Sequence, residues 1–248
     1  MKLSLSPQIL LKYLIFSILL LLIGNIISIV IDFSSNNSYL RVLGSFFNFD
    51  EETSIPTFYS TLLLFICGLL LLYVYKVLPS LQSHRGHWLF LSIIFDYLAL
   101  DEFLSLHERL IPITKDYFEF TGPLYYSWVL PYGLILAALT IYFLPFLKNL
   151  PKKITRLFIL SGSTFVGGAI GMELFGGMQH SSYGKETFLY AVFYTIEETL
   201  EMLGLAIFIF ALLYFIANHT QKQKIQISLE KEGSEVIEKT YKHNLLSD

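Results

Sequence analysis

Apolar residues occur along this chain in long continuous runs and do not alternate with polar residues. The six runs cover about residues 10–31, 57–78, 87–110, 127–147, 154–178 and 187–217. A helix needs about 20 residues to cross a bilayer, so each run is long enough to span one. Helices satisfy their own backbone in lipid, and six continuous runs are too few to make a closed barrel. The pattern predicts an all-α, polytopic membrane helix bundle with six transmembrane helices.

Composition agrees with a membrane protein. The chain is 54% hydrophobic and 16% aromatic, with a mean hydropathy of +0.58. We expect a six-helix transmembrane domain over residues 1–218 and a polar cytoplasmic tail over residues 219–248. The first run lacks a small-x-small cleavage site after it, so it is expected to be an uncleaved helix. The single cysteine, Cys67, excludes an internal disulfide.

Basic residues predict the orientation. If the N-terminus is cytoplasmic, thirteen Lys and Arg residues fall in the inner segments. The outer segments then hold only four, Arg41, Arg109, Lys115 and Lys185. This excess predicts a cell-membrane protein with both termini in the cytoplasm.

Acidic and histidine side chains interrupt three of the apolar runs. They are Asp96, Asp101, Glu102, His107 and Glu108 in the third run, Glu173 in the fifth, and Glu197, Glu198 and Glu201 in the last. A charge at the bilayer centre costs roughly 3 kcal/mol or more, so such groups face protein, pair, protonate or bind a cation. Lys and Arg are missing from the deep parts of these runs. We therefore expect one carboxylate site in the outer half of the membrane, neutralised by shared protons or a divalent cation.

Helical spacing indicates which acids face that site. Within the last run, one arc of about 100° holds Tyr190, Tyr194, Glu197, Glu198 and Glu201. In the third run we place Asp101, His107 and Glu108 towards the cluster. Asp96 and Glu102 point elsewhere and are candidates either for supporting the ligands from behind or for pairing between helices.

Two further patterns concern packing. The fifth run is rich in glycine, and its small residues Ser163, Gly167 and Gly171 are spaced by four as in close helix contacts. This pattern predicts that a glycine face of the fifth helix packs against the Glu197 face of the last one; its glycines are Gly162, Gly167, Gly168, Gly171, Gly176 and Gly177. Asp50, Glu51 and Glu52 precede Pro56, where negative charge suits the start of the second helix. A mouth that collects cations is the alternative for these three acids.

Carboxylates combined with histidine are ligands for Mn, Fe or Zn in helix bundles. The predicted metal ligands are Asp101, His107, Glu108, Glu173, Glu198 and Glu201, and the predicted catalytic residues are Asp101, Glu197 and Glu198. Neither the third nor the last run contains a Glu-x-x-His pair, so the similarity to carboxylate-bridged dimetal proteins is chemical only.

Three strings carry a family resemblance: ETSIPT at residues 52–57, LDEFLSLHE at 100–108 and IEETLEMLG at 196–204. They resemble segments of uncharacterised bacterial multi-pass membrane proteins. The resemblance implies a bacterial inner membrane protein and brings no assigned activity.

The acids leave two main function classes and a third, plainer one. The first is a membrane enzyme, most simply a hydrolase with metal-activated water, acting on a lipid-soluble or extracytoplasmic substrate. The second is a proton- or cation-coupled transporter, and the third is a structural membrane subunit. Concentration of the acids at one depth favours the enzyme. The expected partners are membrane lipids and a small-molecule or lipid-soluble substrate, with no nucleic acid.

Overall fold

The chain folds into an antiparallel bundle of helices. A computed structural model describes residues 6–77, 84–115 and 120–219, and every regular element in these ranges is helical. The elements are α1 (Pro7–Ser34), α2 (Ser38–Ser45), α3 (Ile55–Val77), α4 (Arg85–Leu104), α5 (Leu110–Lys115), a 3₁₀ turn (Gly122–Leu124), α6 (Val129–Asn149), α7 (Lys152–Val166), a π turn (Gly167–Met172), α8 (Glu173–Tyr183) and α9 (Phe188–His219). Apart from His219, the predicted polar tail lies outside the described residues.

Five helical segments are long and apolar enough to cross a membrane. They are α1, α3, α6, the continuous helix Lys152–Tyr183, and Phe188–Asn218 of α9. The outward faces of these helices carry exposed large apolar side chains, which suit lipid and not water. The described helices thus indicate a multi-pass membrane protein. The remaining predicted span, the third run, corresponds to α4, whose 20 residues include three acids, Asp96, Asp101 and Glu102.

Helix α4 packs along α3 and runs in the opposite direction. The Ser92 hydroxyl donates to the Gly68 carbonyl at 2.9 Å, and the Asp96 carboxylate covers the same glycine. At the far end of α4, the Ser105 hydroxyl donates to Glu52, just before α3 begins. Helix α4 therefore returns the chain to the end of the bundle from which α3 starts.

Hydrogen bonds join three connecting segments at that end of the bundle. The Tyr190 hydroxyl donates to Asp50 at 2.8 Å and lies 3.0 Å from the Tyr126 hydroxyl. Tyr126 in turn lies 2.8 Å from Nδ1 of His180, and Lys185 pairs with Asp50 at 3.7 Å. We call this end, marked by these five residues, the site end.

Helix α9 is the central helix of the bundle and packs against α1, α3 and α7. Much of its apolar surface is fully buried, including Met202, Leu205, Leu212 and Phe215. One polar contact also fixes it. The buried Asn25 of α1 donates to Thr195 at 2.8 Å and accepts from the Phe49 backbone at 2.9 Å. This amide ties α1, α9 and the segment before α3 together.

The helix Lys152–Tyr183 touches α9 as predicted, but through a different set of small residues. Ser161 donates to the Gly204 carbonyl at 2.8 Å, and Gly168 lies beneath the backbone of Glu197. A Cβ added at Gly167 or Gly171 meets nothing within 4 Å. The predicted contact between the glycine face and the Glu197 face is therefore confirmed at Gly168, but the four-residue spacing of Ser163, Gly167 and Gly171 does not mark it. The spacing assumed a regular α-helix, whereas the π turn between α7 and α8 changes the number of residues per turn and hence the facing.

Gly168→Ala should destabilise the protein because its Cβ would lie 2.6 Å from the carbonyl oxygen of Glu197, a backbone atom that cannot rotate away. We expect a loss of about 1–3 kcal/mol, as for other overpacked sites. The measurement is the melting temperature in detergent. Gly133→Ala is the matched control, since its Cβ meets nothing within 4 Å and alanine is the better helix former. Equal melting temperatures for the two variants would contradict this close contact.

Candidate functional site

A cavity of about 700 Å³ lies between α3, α4, α6, α7 and α9. Its lining changes from one end to the other. Polar and acidic side chains line the part near the site end: Glu52, Thr57, Asp101, Glu102, His107, Trp128, Tyr132, Glu197, Glu198 and Glu201. Most of the remaining wall is aliphatic or aromatic, with Leu98, Leu139, Phe143, Phe158 and Phe208 as examples. The cavity is therefore amphiphilic, and we call its polar part the acidic end.

Negative charge exceeds positive charge at the acidic end. Six carboxyl groups line the cavity there, and His107 is the one basic side chain among the described lining residues. Glu198 lies close enough to Glu102, Glu201 and Glu52 for their charges to repel. Its Oε2 atom is buried and has no hydrogen-bond partner in the described part of the chain. This carboxylate is placed to take a proton or a cation.

Asp101 is held by three donors. It is 5% exposed and accepts from the His107 backbone at 3.0 Å, from the His107 ring at 3.1 Å and from the Tyr132 hydroxyl at 2.9 Å. The turn that brings His107 back begins at Ser105, whose φ of 50° is left-handed and ends α4. Asp101 and His107 thus form an internal ion pair.

His107 lies in the turn after α4, and its surroundings favour the charged ring. Burial lowers the pKa of the imidazole, but the hydrogen bond and charge of Asp101, with the charges of Glu102 and Glu52, outweigh burial. The net effect raises the pKa of His107 to about 9. One positive charge therefore sits among the carboxylates at neutral pH.

Glu173 and Glu197 form a second pair. Their carboxyl groups are in hydrogen-bonding contact, and the indole of Trp128 donates to Oε1 of Glu173 at 2.9 Å. Two ionised carboxylates repel at such a separation, so the pair needs a shared proton or a cation between the oxygens. The π turn directly before Glu173 sets the direction of this side chain. Glu197 lines the cavity, and Glu173 lies behind it.

Two acids of the third run lie apart from this cavity. Glu108 is not among the cavity-lining residues, and the charges that act on it include those of Glu52, Lys185 and Asp50, towards the site end. Asp96 covers Gly68, and its Oδ1 is buried without a hydrogen-bond partner in the described residues. By contrast Glu102, for which the sequence predicted a supporting role behind the ligands or pairing between helices, lines the cavity near Glu198 and Glu201.

Sequence reasoning missed three residues of the acidic end. Glu52 was interpreted first as one of three acids at the start of the second helix, with a mouth that collects cations as the alternative, whereas Ser54 caps the first turn of α3 by accepting from the Thr57 backbone at 3.2 Å. Trp128 and Tyr132 were not predicted to belong to the site, because buried aromatic residues are common in any helix bundle. The available signal was their polar atoms, since a buried indole or phenol needs a hydrogen-bond partner and acids are among the nearest candidates.

The predicted metal ligands do not form a coordination shell. Within residues 6–77, 84–115 and 120–219, no three side chains of His, Cys, Asp and Glu are arranged to hold a metal ion. Two of the six predicted ligands, Asp101 and His107, are hydrogen-bonded to each other. A bound metal therefore stays a prediction.

Comparison with known proteins places this helix bundle in a family. Residues 13–216 match the model of DUF8692, a domain of unknown function. The chain belongs to this family. The match includes every acid that lines the cavity and confirms the resemblance to an uncharacterised family. Among curated proteins and solved structures, none matches the chain.

Asp101→Asn should destabilise this DUF8692 protein, because it removes the partner of a buried charged imidazole. Breaking a buried ion pair typically costs about 3 kcal/mol or more. Glu102→Gln, at the next position, should leave stability equal or higher, since it removes one of several repelling carboxylates. Thermal unfolding of both variants at pH 7 tests the contrast. A Glu102→Gln variant less stable than Asp101→Asn would show that we have the charge balance wrong.

Proposed function

We propose that this DUF8692 protein is a six-span membrane enzyme that hydrolyses an ester or amide bond in a lipid-soluble substrate. The observation that carries the proposal is the amphiphilic cavity, which offers an apolar volume for a hydrocarbon chain and carboxyl groups for the reacting end. Cavities of about 300–1,000 Å³ with a few polar groups are typical of small-molecule sites.

The six-span topology is supported by contacts at the site end. Asp50, Tyr126 and Lys185 belong to three different connections and are linked there by hydrogen bonds and an ion pair. These connections fall on the same side of a membrane only if α4 crosses it as α3 does. The distribution of Lys and Arg supports an orientation with the site end outside and both termini in the cytoplasm.

Labelling of single cysteines distinguishes six spans from five. Asn36→Cys and Lys152→Cys both add an exposed thiol, and the native Cys67 is buried and gives little background. With six spans, an impermeant maleimide should label Asn36→Cys in intact cells and Lys152→Cys only after the membrane is opened. With five spans, the two positions lie on the same side. Labelling of both in intact cells would overturn the proposed crossing of α4.

The Glu173–Glu197 pair supplies the acid–base chemistry. When the pair shares one proton, one carboxylate oxygen is free to act as a base. It takes a proton from a water molecule while the oxygen of that water attacks the carbonyl carbon. When the bond to the leaving group breaks, the pair returns a proton to that oxygen or nitrogen. Water is consumed, two products form, and the pair ends with the one proton it held at the start. Glu197 touches the cavity and is the reacting carboxyl; Glu173 positions it.

Cation transport has less support. Beyond the acidic end, the described residues that line the cavity are mostly aliphatic and aromatic, with Thr140 and Ser161 as the polar exceptions. A cation that left the carboxylates in this direction would lose its ligands and meet a low-dielectric wall. The acids therefore serve a molecule held at one end of the cavity better than an ion that passes through it.

Hydrolysis is tested by oxygen isotope transfer. The purified protein in nanodiscs is incubated with a total membrane lipid extract in H₂¹⁸O, and ¹⁸O-labelled products are found by mass spectrometry. We expect labelled products with the wild type and a loss of at least about 100-fold with Glu197→Gln, as for removal of a general acid–base.

Glu51→Gln is the control for this experiment, because Glu51 is exposed and does not line the cavity. It should match the wild type. A matching melting temperature for Glu197→Gln separates lost chemistry from lost folding. The absence of wild-type-dependent ¹⁸O label across the extract would reject the hydrolase.

A divalent metal ion, Mn, Fe or Zn, is the second candidate for the chemistry of this site. The favouring observation is the unpartnered Oε2 of Glu198, which faces the charges of Glu102 and Glu201. Binding requires these carboxylates to rotate towards a common point, since the described side chains do not converge on one. A metal held there would activate water as a Lewis acid.

Metal dependence has a direct readout in stability. If a metal binds the native state, a chelator should lower the melting temperature of the wild type, because binding at 100 times the dissociation constant contributes about 2.7 kcal/mol. Glu198→Gln should lose both the bound metal and the chelator effect, whereas Glu51→Gln keeps them. Elemental analysis accompanies the melting curves. Wild-type protein with background metal and an unchanged melting curve excludes this candidate.

A further inference from the structure

The cavity reaches the lipid-facing surface between α4 and α6. Three residues that line it, Ile93, Tyr97 and Ile135, are also 56%, 47% and 57% exposed. Side chains that belong to both the cavity wall and the outer surface mark an opening. Because α6 is long and apolar enough to lie in a membrane, the opening faces the hydrocarbon region and not water.

Two aromatic contacts bound this opening. Towards the site end, the hydroxyl groups of Tyr97 and Tyr132 lie 2.8 Å apart. Towards the other end, the rings of Phe90 and Phe143 are stacked at 5.9 Å. Phe90 and Tyr97 are seven residues apart on α4, which corresponds to about 10 Å of helical rise. We call this opening the side window.

The charge of the acidic end selects the head group of an amphiphile that enters. Among the described lining residues, His107 alone is basic, and Asp101 already pairs with it. A phosphate or carboxylate head group would meet Glu102, Glu198 and Glu201 and be repelled at short range in a low dielectric. A protonated amine would instead supply the countercharge that these acids lack, and the unpartnered Oε2 of Glu198 would accept its hydrogen bond.

We propose that the side window admits from the bilayer an amphiphile with one hydrocarbon chain and a protonated amine, and that the ammonium group binds among Glu102, Glu198 and Glu201. This inference rests on the proposed function, since it takes the same cavity as the substrate site, and it names the chemical class of the substrate. The hydrocarbon chain lies along the apolar wall, and the bond to be broken lies near the amine, beside Glu197.

Fluorescence quenching tests the occupant. The chain has two tryptophans, Trp88 and Trp128, and Trp128 lines the acidic end. In a Trp88→Phe background, Trp128 is the sole tryptophan and reports a bound molecule that carries bromine near its head group. The probes are a brominated long-chain amine, the alcohol of the same chain and the alkyl phosphate of the same chain, each added to protein in phosphatidylcholine nanodiscs.

We expect the amine to quench Trp128 with at least about tenfold tighter binding than the alcohol, and the phosphate to bind most weakly. Glu198→Gln and Glu102→Gln should each weaken amine binding and leave alcohol binding unchanged, because an amide keeps the shape and loses the charge. Glu51→Gln should change neither. Equal binding of the three probes, or tightest binding of the phosphate, would overturn the proposal.

The route is tested by narrowing the side window. Ile93→Phe with Ile135→Phe adds bulk at two lining positions and should slow amine association at least about fivefold. Leu100→Phe with Leu134→Phe is the matched control, since both positions are exposed on the same helices and neither lines the cavity. Equal association rates for the two double variants would reject entry through the window.

The probes have no ester or amide bond, so binding is measured independently of hydrolysis. If the amine binds but no ¹⁸O-labelled products form, the proposed hydrolysis is rejected and the proposed amine ligand stands. If labelled products form but the amine binds no better than the other probes, the proposed amine ligand is rejected and the proposed hydrolysis stands. The two failures are thus distinguishable.

Discussion

The whole bundle is organised around carboxyl groups that have too few countercharges. A carboxylate removed from water must be neutralised by a proton or a cation, or stabilised by donors. Asp101 has His107 and Tyr132, the pair of Glu173 and Glu197 has Trp128 and each other, and Glu52 accepts from Ser105. Glu198 retains an oxygen without a described partner. The way in which the negative charge is stabilised therefore differs from one acid to the next.

Departures from regular helix geometry occur where these acids are set. The left-handed residue Ser105 ends α4 and turns His107 back onto Asp101. The π turn before Glu173 turns that carboxyl towards Glu197, and Gly168 in the same turn lets the two backbones approach closely. Strained or irregular backbone is tolerated where packing over-determines it, and such places cluster at functional sites. The irregular elements and the acids thus belong to one arrangement.

The sequence predicted the class of the bundle and much of its acidic face for a simple reason. A regular helix such as α9 converts spacing directly into direction, so the common arc of Glu197, Glu198 and Glu201 followed from their numbers. The place of Glu102 in the cavity wall was not predicted, because its direction was judged relative to Asp101 without knowing how α4 is rotated against α3. The place of Glu52 was not predicted because a residue in a connecting segment has no helical periodicity. The four-residue spacing did not identify Gly168 as the contact with α9, because spacing cannot reveal a π turn. The spacing of residues predicts which side chains share one face of a regular helix. Contacts between helices also depend on how each helix is rotated about its own axis, and this rotation cannot be read from a single sequence.

An opening that faces hydrocarbon changes what concentration means for this protein. A molecule that arrives through the gap between α4 and α6 is dissolved in the bilayer first, so occupancy follows its mole fraction among lipids and not its amount per volume of water. Doubling the lipid at constant ligand halves that mole fraction and weakens apparent binding, although the cavity is unchanged. Surfactants used for extraction share the same phase and compete for the same apolar wall. For the amphiphile proposed above, the apparent affinity would therefore depend on the amount of lipid as well as on the protein.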